Sequence, residues 1–386
     1  MYNVLSFGNY SRIYKLIFFA ILVFYVYAFT IQIWENINFE NGYTLGGWLI
    51  NYHDGGFKRR GLSGSFFIVF YDILGINLKH IVFFFQSALN LAFVVYFYLL
   101  ILKKHLFGSY FILLLAPCCF LFFFTEPGSI GRKEIILFAT YSYYLYRLSN
   151  KENDIWKVFY PFLLILPIGI LFYELLFFYL PFFLIPLITV EKGRFTNRNI
   201  SLVTLTFFIL TGAVMGLLFI FGGEINQGAS FDILESRGIS NKMRSLGNMG
   251  ILTWNNDFDK FHYFRFNKYG KYLLSLALGF IMFFGYNFLG NSKLKALEFL
   301  VAFLFTLLFS LPIYILAIDW GRWLNIQFVM MLLFITYSSH EVSYKVSHAL
   351  WVRILYFIFG ILLILFWRFQ LVDIGFYISN IFSSTI

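Results

Sequence analysis

The residues best suited to chemistry lie at 51–64, NYHDGGFKRRGLSG, where His53, Asp54, Lys58, Arg59 and Arg60 stand among four glycines in an otherwise apolar chain. Gly55, Gly56, Gly61 and Gly64 permit tight turns and close approach of the backbone to a ligand. Lys58 offers a point charge, and Arg59 and Arg60 offer planar forks, donor geometries that suit phosphate. Held beside those cations, Asp54 stays ionised, and an ionised carboxylate can take a proton from a sugar hydroxyl as general base. The same residues would also make a tight interfacial turn whose cations bind lipid headgroups, so the stretch alone leaves both readings open.

Four further places carry candidate groups. Residues 126–134, EPGSIGRKE, read as a Pro-Gly turn followed by a helix beginning near Arg132. Arg132, Lys133 and Glu134 then sit at a membrane edge, either contacting substrate or snorkelling as an ion pair. Glu174, in FYELLFF, is a carboxylate between apolar runs with no basic neighbour in sequence. At membrane depth it costs roughly 2.5 to 3.5 kcal/mol, whereas at the outer turn of a hairpin it is a second candidate base. In DWGR, Asp319 and Arg322 are three apart and can pair on one helix face, or Arg322 can face an anionic substrate with Asp319 orienting it. Finally, Arg237, Lys242 and Arg244 cluster in the polar stretch 223–271, where Asp257 and Asp259 could share a cation, although a solvated loop accounts for them better. Trp254, His262 and Tyr263 suit a sugar ring or a membrane surface equally.

The elements that must position these groups follow from composition. Of 386 residues, 60% are hydrophobic and only 12% charged, with mean hydropathy +0.76, against about 25% charged in soluble domains. Apolar runs long enough to cross a bilayer recur throughout. They predict an all-α polytopic protein, a single transmembrane domain over 1–386, with about eleven spans at 13–34, 81–102, 106–124, 135–148, 158–173, 175–190, 200–222, 272–289, 294–318, 323–338 and 350–369. The first run is too long for a signal peptide and lacks a small-residue cleavage site, so it is expected to remain as an anchor. Residues 62–78 are apolar but short and contain Asp72, which suggests a re-entrant or interfacial helix. Pro161, Pro167, Pro181 and Pro186 make 158–190 the region hardest to divide.

Short basic loops set the orientation. With the amino terminus in the cytoplasm, alternation places Lys103, Lys104, Arg147, Lys151, Lys157, Lys192, Arg194, Arg198, Lys293, Lys295, Lys345 and Arg353 inside. It gathers 51–64, 126–134, 223–271 and 319–322 outside, with the long 223–271 loop carrying short helices over the membrane. A net charge of +10 is scattered between spans, which points to anionic lipid and not to nucleic acid. Cys118 and Cys119 are adjacent in an apolar run and provide neither a disulfide framework nor a metal set. His340-Glu341 lacks the second histidine of a zinc-protease helix, and neither a Gly-x-Ser-x-Gly elbow nor a Gly-Lys-Ser/Thr phosphate loop occurs. Metal hydrolases and ATPases are thereby excluded, and neither metal nor other cofactor is expected.

Many spans, HDGGFKRRGLSG in a first outer loop, GRKE at a turn and DWGR before a late span together resemble the bacterial O-antigen polymerases of surface-polysaccharide and lipopolysaccharide clusters. The resemblance covers most of the chain in topology and some thirty residues in motif. It also extends to membrane glycosyltransferases that use lipid-linked sugars, in which an acidic residue stands in the first outer loop, as Asp54 does here. It implies a glycosyltransferase on the outer face of the bacterial inner membrane that joins polyprenyl-diphosphate-linked oligosaccharide repeat units, with membrane lipids and a chain-length regulator protein as further partners. Diphosphate is then the leaving group, which assigns Lys58, Arg59, Arg60, Arg132 and Arg322 to it or its flanking sugars, and Asp54 or Glu174 to the base. A flippase or other transporter of the lipid-linked oligosaccharide is the main alternative. An acyltransferase, with His53 as base, is another.

Overall fold

A computed structural model of the chain describes residues 7–53, 56–105, 108–222, 227–240, 266–316, 319–341, 350–369 and 375–376. Apart from one two-stranded pairing, Trp367–Arg368 with Gly375–Phe376, its regular structure is helical. In chain order the α-helices are α1 (Phe7–Asn38), α2 (Gly47–Leu49), α3 (Gly61–Leu74), α4 (Leu78–Leu102), α5 (Tyr110–Leu114), α6 (Phe120–Thr125), α7 (Glu134–Ser149) and α8 (Ile155–Phe172). They continue with α9 (Pro181–Thr189), α10 (Asn197–Phe221), α11 (Gln227–Glu235), α12 (Phe266–Tyr286), α13 (Ala296–Leu316), α14 (Trp320–Ser338) and α15 (Leu350–Phe366). Starts are set by side chains that accept otherwise unpaired amides: Asn77 from Lys79, Asp154 from Trp156 and Thr196 from Asn199.

Among the described residues six helices are long and apolar enough to cross a membrane: Arg12–Asn38, Leu78–Leu102, Ile155–Phe172, Asn197–Phe221, Gly270–Gly290 and Ala296–Tyr314. The chain is a multi-pass membrane protein. Its lipid-facing surface is built of side chains such as Phe24, Leu205, Phe219, Leu297 and Leu308, which stay exposed because hydrocarbon and not water surrounds them. The other apolar runs form shorter or broken helices. The run at 106–124, expected as one span, is split into α5 and α6 around Pro117, which has no amide to donate. Asn325 Nδ2 repairs the break by donating to the carbonyls of Cys118 (2.9 Å) and Cys119 (3.2 Å), as buried backbone in a membrane requires.

Helix α14 is the axis of the bundle. Every residue from Gly321 to Ser338 is buried, and it packs on α7, which in turn packs on α4 and α8. Two of its core polar groups reach neighbouring helices: Gln327 Nε2 donates to Thr306 Oγ1 at 2.7 Å, and Thr336 Oγ1 meets the Tyr110 hydroxyl at 2.5 Å.

Charged groups segregate to the two ends of this bundle. At one end Lys104, Lys151 and Lys293 converge on Glu341 at 3.9, 3.1 and 3.4 Å, and Lys192 meets Glu298 at 2.6 Å. Burial and the nearby Lys293 push the Lys104 amine down to about 8, even with Glu341 opposing. At the other end lie residues 58–60, 132–134, 174 and 319–322, at or just before the starts of α3, α7, the 174–179 helix and α14. The segment expected to be re-entrant or interfacial is α3, both of whose ends lie at this second end. Its Leu74 is separated from α4 only by a short turn with Gly75 left-handed at φ 65°.

Candidate functional site

The site is assembled from five segments. Segment 42–48 and the 130–133 turn lock together first: Trp48 Nε1 donates to the Gly131 carbonyl at 2.7 Å, and Thr44 Oγ1 donates to the Ile130 carbonyl at 2.9 Å. Gly131 has φ 79°, and a Cβ there would come within 2.4 Å of Thr44 and 2.7 Å of Gln86. The glycine therefore fixes the height at which Arg132, Lys133 and Glu134 enter the bundle. Gly64 does the same for residues 58–60, since an added Cβ would meet the Leu49 and Ile50 carbonyls at 2.3 to 2.4 Å.

Arg60, Arg59 and Glu174 form the first half of the site. Arg60 is buried in left-handed backbone, φ 63°, immediately before α3. Its guanidinium grips Glu174 with three hydrogen bonds of 3.1, 2.8 and 2.6 Å, while Arg59 Nε stands 3.6 Å from the same carboxylate. Burial opposes the charge on Glu174, and the two arginines that face it offset that cost. Glu174 is thus an anchor for two cations, not a free proton acceptor. Both of its oxygens are occupied in this way, which leaves little room for the base role expected of it.

The second half surrounds Arg322 at the start of α14. Arg322 hydrogen-bonds the Glu134 carboxylate and the Tyr173 hydroxyl, and its Nη1 lies 3.0 Å from Asp319 Oδ2. Arg132 Nη1 approaches the same Asp319 oxygen at 3.6 Å and its Nε donates to the Gly128 carbonyl at 3.2 Å. The expected Asp319–Arg322 pairing is present, but Asp319 also bridges to a second arginine. Tyr173 joins the halves: its hydroxyl donates to Glu134 at 3.0 Å, and the guanidinium carbons of Arg60 and Arg322 stand 5.0 and 6.0 Å from its ring centre. Lys133 completes the connection by donating to Ser63 Oγ (2.7 Å) and the Phe172 carbonyl (2.9 Å).

A small pocket of about 20 Å³ opens beside this cluster, with Ser129, Arg132, Glu134, Arg322 and Asn325 on its polar side and Tyr25, Phe29, Phe122 and Phe123 on its apolar side. Three polar atoms of its lining lack a hydrogen-bond partner although buried: Glu134 Oε2, Arg132 Nη1 and the Tyr25 hydroxyl. An unsatisfied acceptor and an unsatisfied donor in one pocket suit a ligand that brings both a hydroxyl and an anion.

Other expected residues fall elsewhere. His53 is exposed, with its amide on Asn51 Oδ1. Lys58 is buried next to Arg59 and Arg60. Arg237 follows α11 and pairs with Asp72 of α3 at 3.1 Å, so it ties the start of the long loop to α3 and stands apart from the pocket. Asp54, Lys242, Arg244, Trp254, Asp257, Asp259, His262 and Tyr263 lie outside the described residues. Among the described residues no group of three His, Cys, Asp or Glu side chains could hold a metal. Sequence reasoning missed Tyr173, Ser63, Tyr25 and Asn325. Only Tyr173 had a signal, its place beside Glu174.

No family model, curated protein or solved structure matches the chain.

Proposed function

We propose that the chain is a polysaccharide polymerase of the O-antigen type, a glycosyltransferase joining polyprenyl-diphosphate-linked repeat units on the outer face of a bacterial inner membrane. The observation that carries this reading is the pocket in which Arg132, Arg322 and the unpartnered Glu134 Oε2 meet beside an apolar wall. A substrate that is at once anionic, hydroxylated and lipid-borne satisfies all three. In this orientation the amino terminus is cytoplasmic, the Lys104–Glu341 end faces the cytoplasm, and the short and broken helices complete eleven crossings: α1, α4, the α5–α6 pair, α7, α8, the 174–189 segment, α10, α12, α13, α14 and α15.

The reaction breaks the bond between the anomeric carbon of the donor glycan and its diphosphate, and forms a glycosidic bond from an acceptor hydroxyl to that carbon. The hydroxyl proton passes to Glu134 Oε2, which takes over the role expected of Glu174, with Asp54 the other candidate base. Polyprenyl diphosphate leaves with the bonding electron pair, and Arg132 and Arg322 stabilise its growing charge, with Arg59, Arg60 and Lys133 behind them. Asp319 holds the two guanidiniums in place.

A transporter for the same lipid-linked glycan shares one feature with this chain, the helix broken at Pro117. The two readings separate in a strain that makes the glycan. Arg322→Ala should leave single repeat units on the surface lipid; persistence of full-length chains would refute the polymerase, and loss of all surface glycan would favour the transporter. Reporter fusions in the loops near 103 and 319 should lie on opposite sides of the membrane, and a common side would overturn the orientation.

A further inference from the structure

At the end of the bundle opposite the arginine cluster, four connections meet: 103–105 after α4, 149–151 after α7, 292–293 between α12 and α13, and 338–341 at the end of α14. They are held together by bonds that leave the amines of Lys104, Lys151 and Lys293 unused. The His105 amide donates to the His340 carbonyl at 2.7 Å, and the Lys293 amide donates to the Ser338 carbonyl at 2.8 Å. Ser292 and Ser339 pair as a single antiparallel bridge, and Lys103 Nζ donates to Ser149 Oγ at 3.1 Å and to Asn150 Oδ1. The frame is thus organised in advance of anything its remaining lysines bind.

Those three lysines converge on one carboxylate, Glu341, so two positive charges are left over. Glu191, whose charge also reaches Lys104, is taken up by Arg194 at 2.7 Å and by the Tyr337 hydroxyl. Lys104 is the least satisfied of the three. It is only 4% exposed, its amine stands 5.0 Å from the centre of the Tyr337 ring, and Glu341 Oε1 is 3.9 Å away, beyond hydrogen-bond reach. A buried ammonium has three N–H groups to place, and among the described residues this one donates none. Glu341, exposed at the rim, fills only part of the space that an anion with more acceptor oxygens would fill. Ammonium groups meet such an anion as point charges, which suits phosphate.

We propose that these four connections bind a phosphate group, with Lys104 on the floor of the site and Lys151 and Lys293 at its rim, and that Glu341 is the group it displaces. A lipid headgroup and free phosphate present the same oxygens. The site is independent of the reaction proposed above.

The test uses the purified full-length chain in maltoside detergent, which carries no phosphate. Melting temperature is followed against inorganic phosphate, with chloride at matched ionic strength as control, and separately against phosphatidylglycerol in mixed micelles. Inorganic phosphate should raise the melting temperature to a plateau if the source is free phosphate, and phosphatidylglycerol alone should do so if the source is a headgroup. No saturable rise with either probe would overturn the site. Lys104→Met should weaken the apparent affinity by about tenfold or more, and Lys293→Gln, a change at the exposed rim, should weaken it in the same direction. Affinity unchanged in both variants would overturn the site, because the rise would then come from an ordinary basic surface. Glu341→Gln should tighten binding by removing the competing carboxylate. Weaker binding in that variant would overturn the displacement.

Discussion

Arg60 and Glu174, 114 residues apart in sequence, meet through both carboxylate oxygens at 2.6 to 3.1 Å in a site where neither side chain is more than 8% exposed. The pair ties the segment before α3 to the turn between α8 and the 174–179 helix. Removing only the carboxylate leaves two guanidiniums buried without compensation. Glu174→Gln should therefore destabilise the protein by about 3–5 kcal/mol, read as a lowered melting temperature in detergent. The double variant Arg60→Gln, Glu174→Gln should lose less than the two single effects added together. A Glu174→Gln protein as stable as the parent would refute the anchor role.

Glu134 should behave in the opposite way. Glu134→Gln keeps an oxygen for Arg322 and Tyr173 but cannot take a proton. Polymerisation should fall by roughly 10²–10⁴-fold, and the melting temperature should fall less than in Glu174→Gln because Asp319 still faces Arg322 at 3.0 Å, as measured by glycan chain length in cells and thermal shift on purified protein. Full-length glycan from this variant would exclude Glu134 as proton acceptor and leave Asp54 the candidate.

Arg322 needs its planar fork to serve Glu134, Tyr173 and Asp319 together. Arg322→Lys keeps the charge but loses that geometry, so it should fail to restore long chains. Long chains restored by lysine would show that charge alone suffices there.

Gly64 and Gly128 make a contrasting pair. A Cβ on Gly64 meets backbone carbonyls that cannot yield, whereas nothing lies within 4 Å of one on Gly128. Gly64→Ala should destabilise by roughly 1–3 kcal/mol or more, and Gly128→Ala should stay within about 0.5 kcal/mol. Gel-filtration yield and melting temperature test both. Equal behaviour would refute the close packing of α3 on residues 49–50.

Lys104 gives stability a pH dependence at the opposite end of the bundle. Its amine titrates at about 8 when folded and near its ordinary 10.5 when unfolded, so the unfolded chain binds more protons between these values. Stability should rise as pH goes from 8 towards 10.5, by roughly 3 kcal/mol at most. Lys104→Met should flatten that rise when its melting curves are compared with the parent's at pH 7.5 and 9.5. Parallel pH profiles would refute the assignment.

What sequence reveals about such a site depends on distance along the chain. Asp319 and Arg322 are legible because three residues of helix bring them together. Glu174 can be singled out as a lone carboxylate, yet its partners are unreadable because they sit at 59 and 60, and so a gripped anchor looks like a base. Alternation of basic loops brings Lys104, Lys151 and Lys293 together at one end, since that rule sums over many short connections. The break at Pro117 is legible as a proline, but its repair by Asn325 is not: one asparagine in an apolar helix gives no sign of the carbonyls it faces. Tyr25 is one tyrosine among 27, and only its place in the pocket distinguishes it.

Helix α3 begins one residue after Arg60 and leaves Phe66, Val69, Phe70, Ile73 and Leu74 uncovered by protein. It therefore rests on acyl chains directly after the arginines at 59 and 60. Because Arg60 is bonded to Glu174, any shift of that helix with bilayer thickness is carried straight to the start of the 174–179 helix.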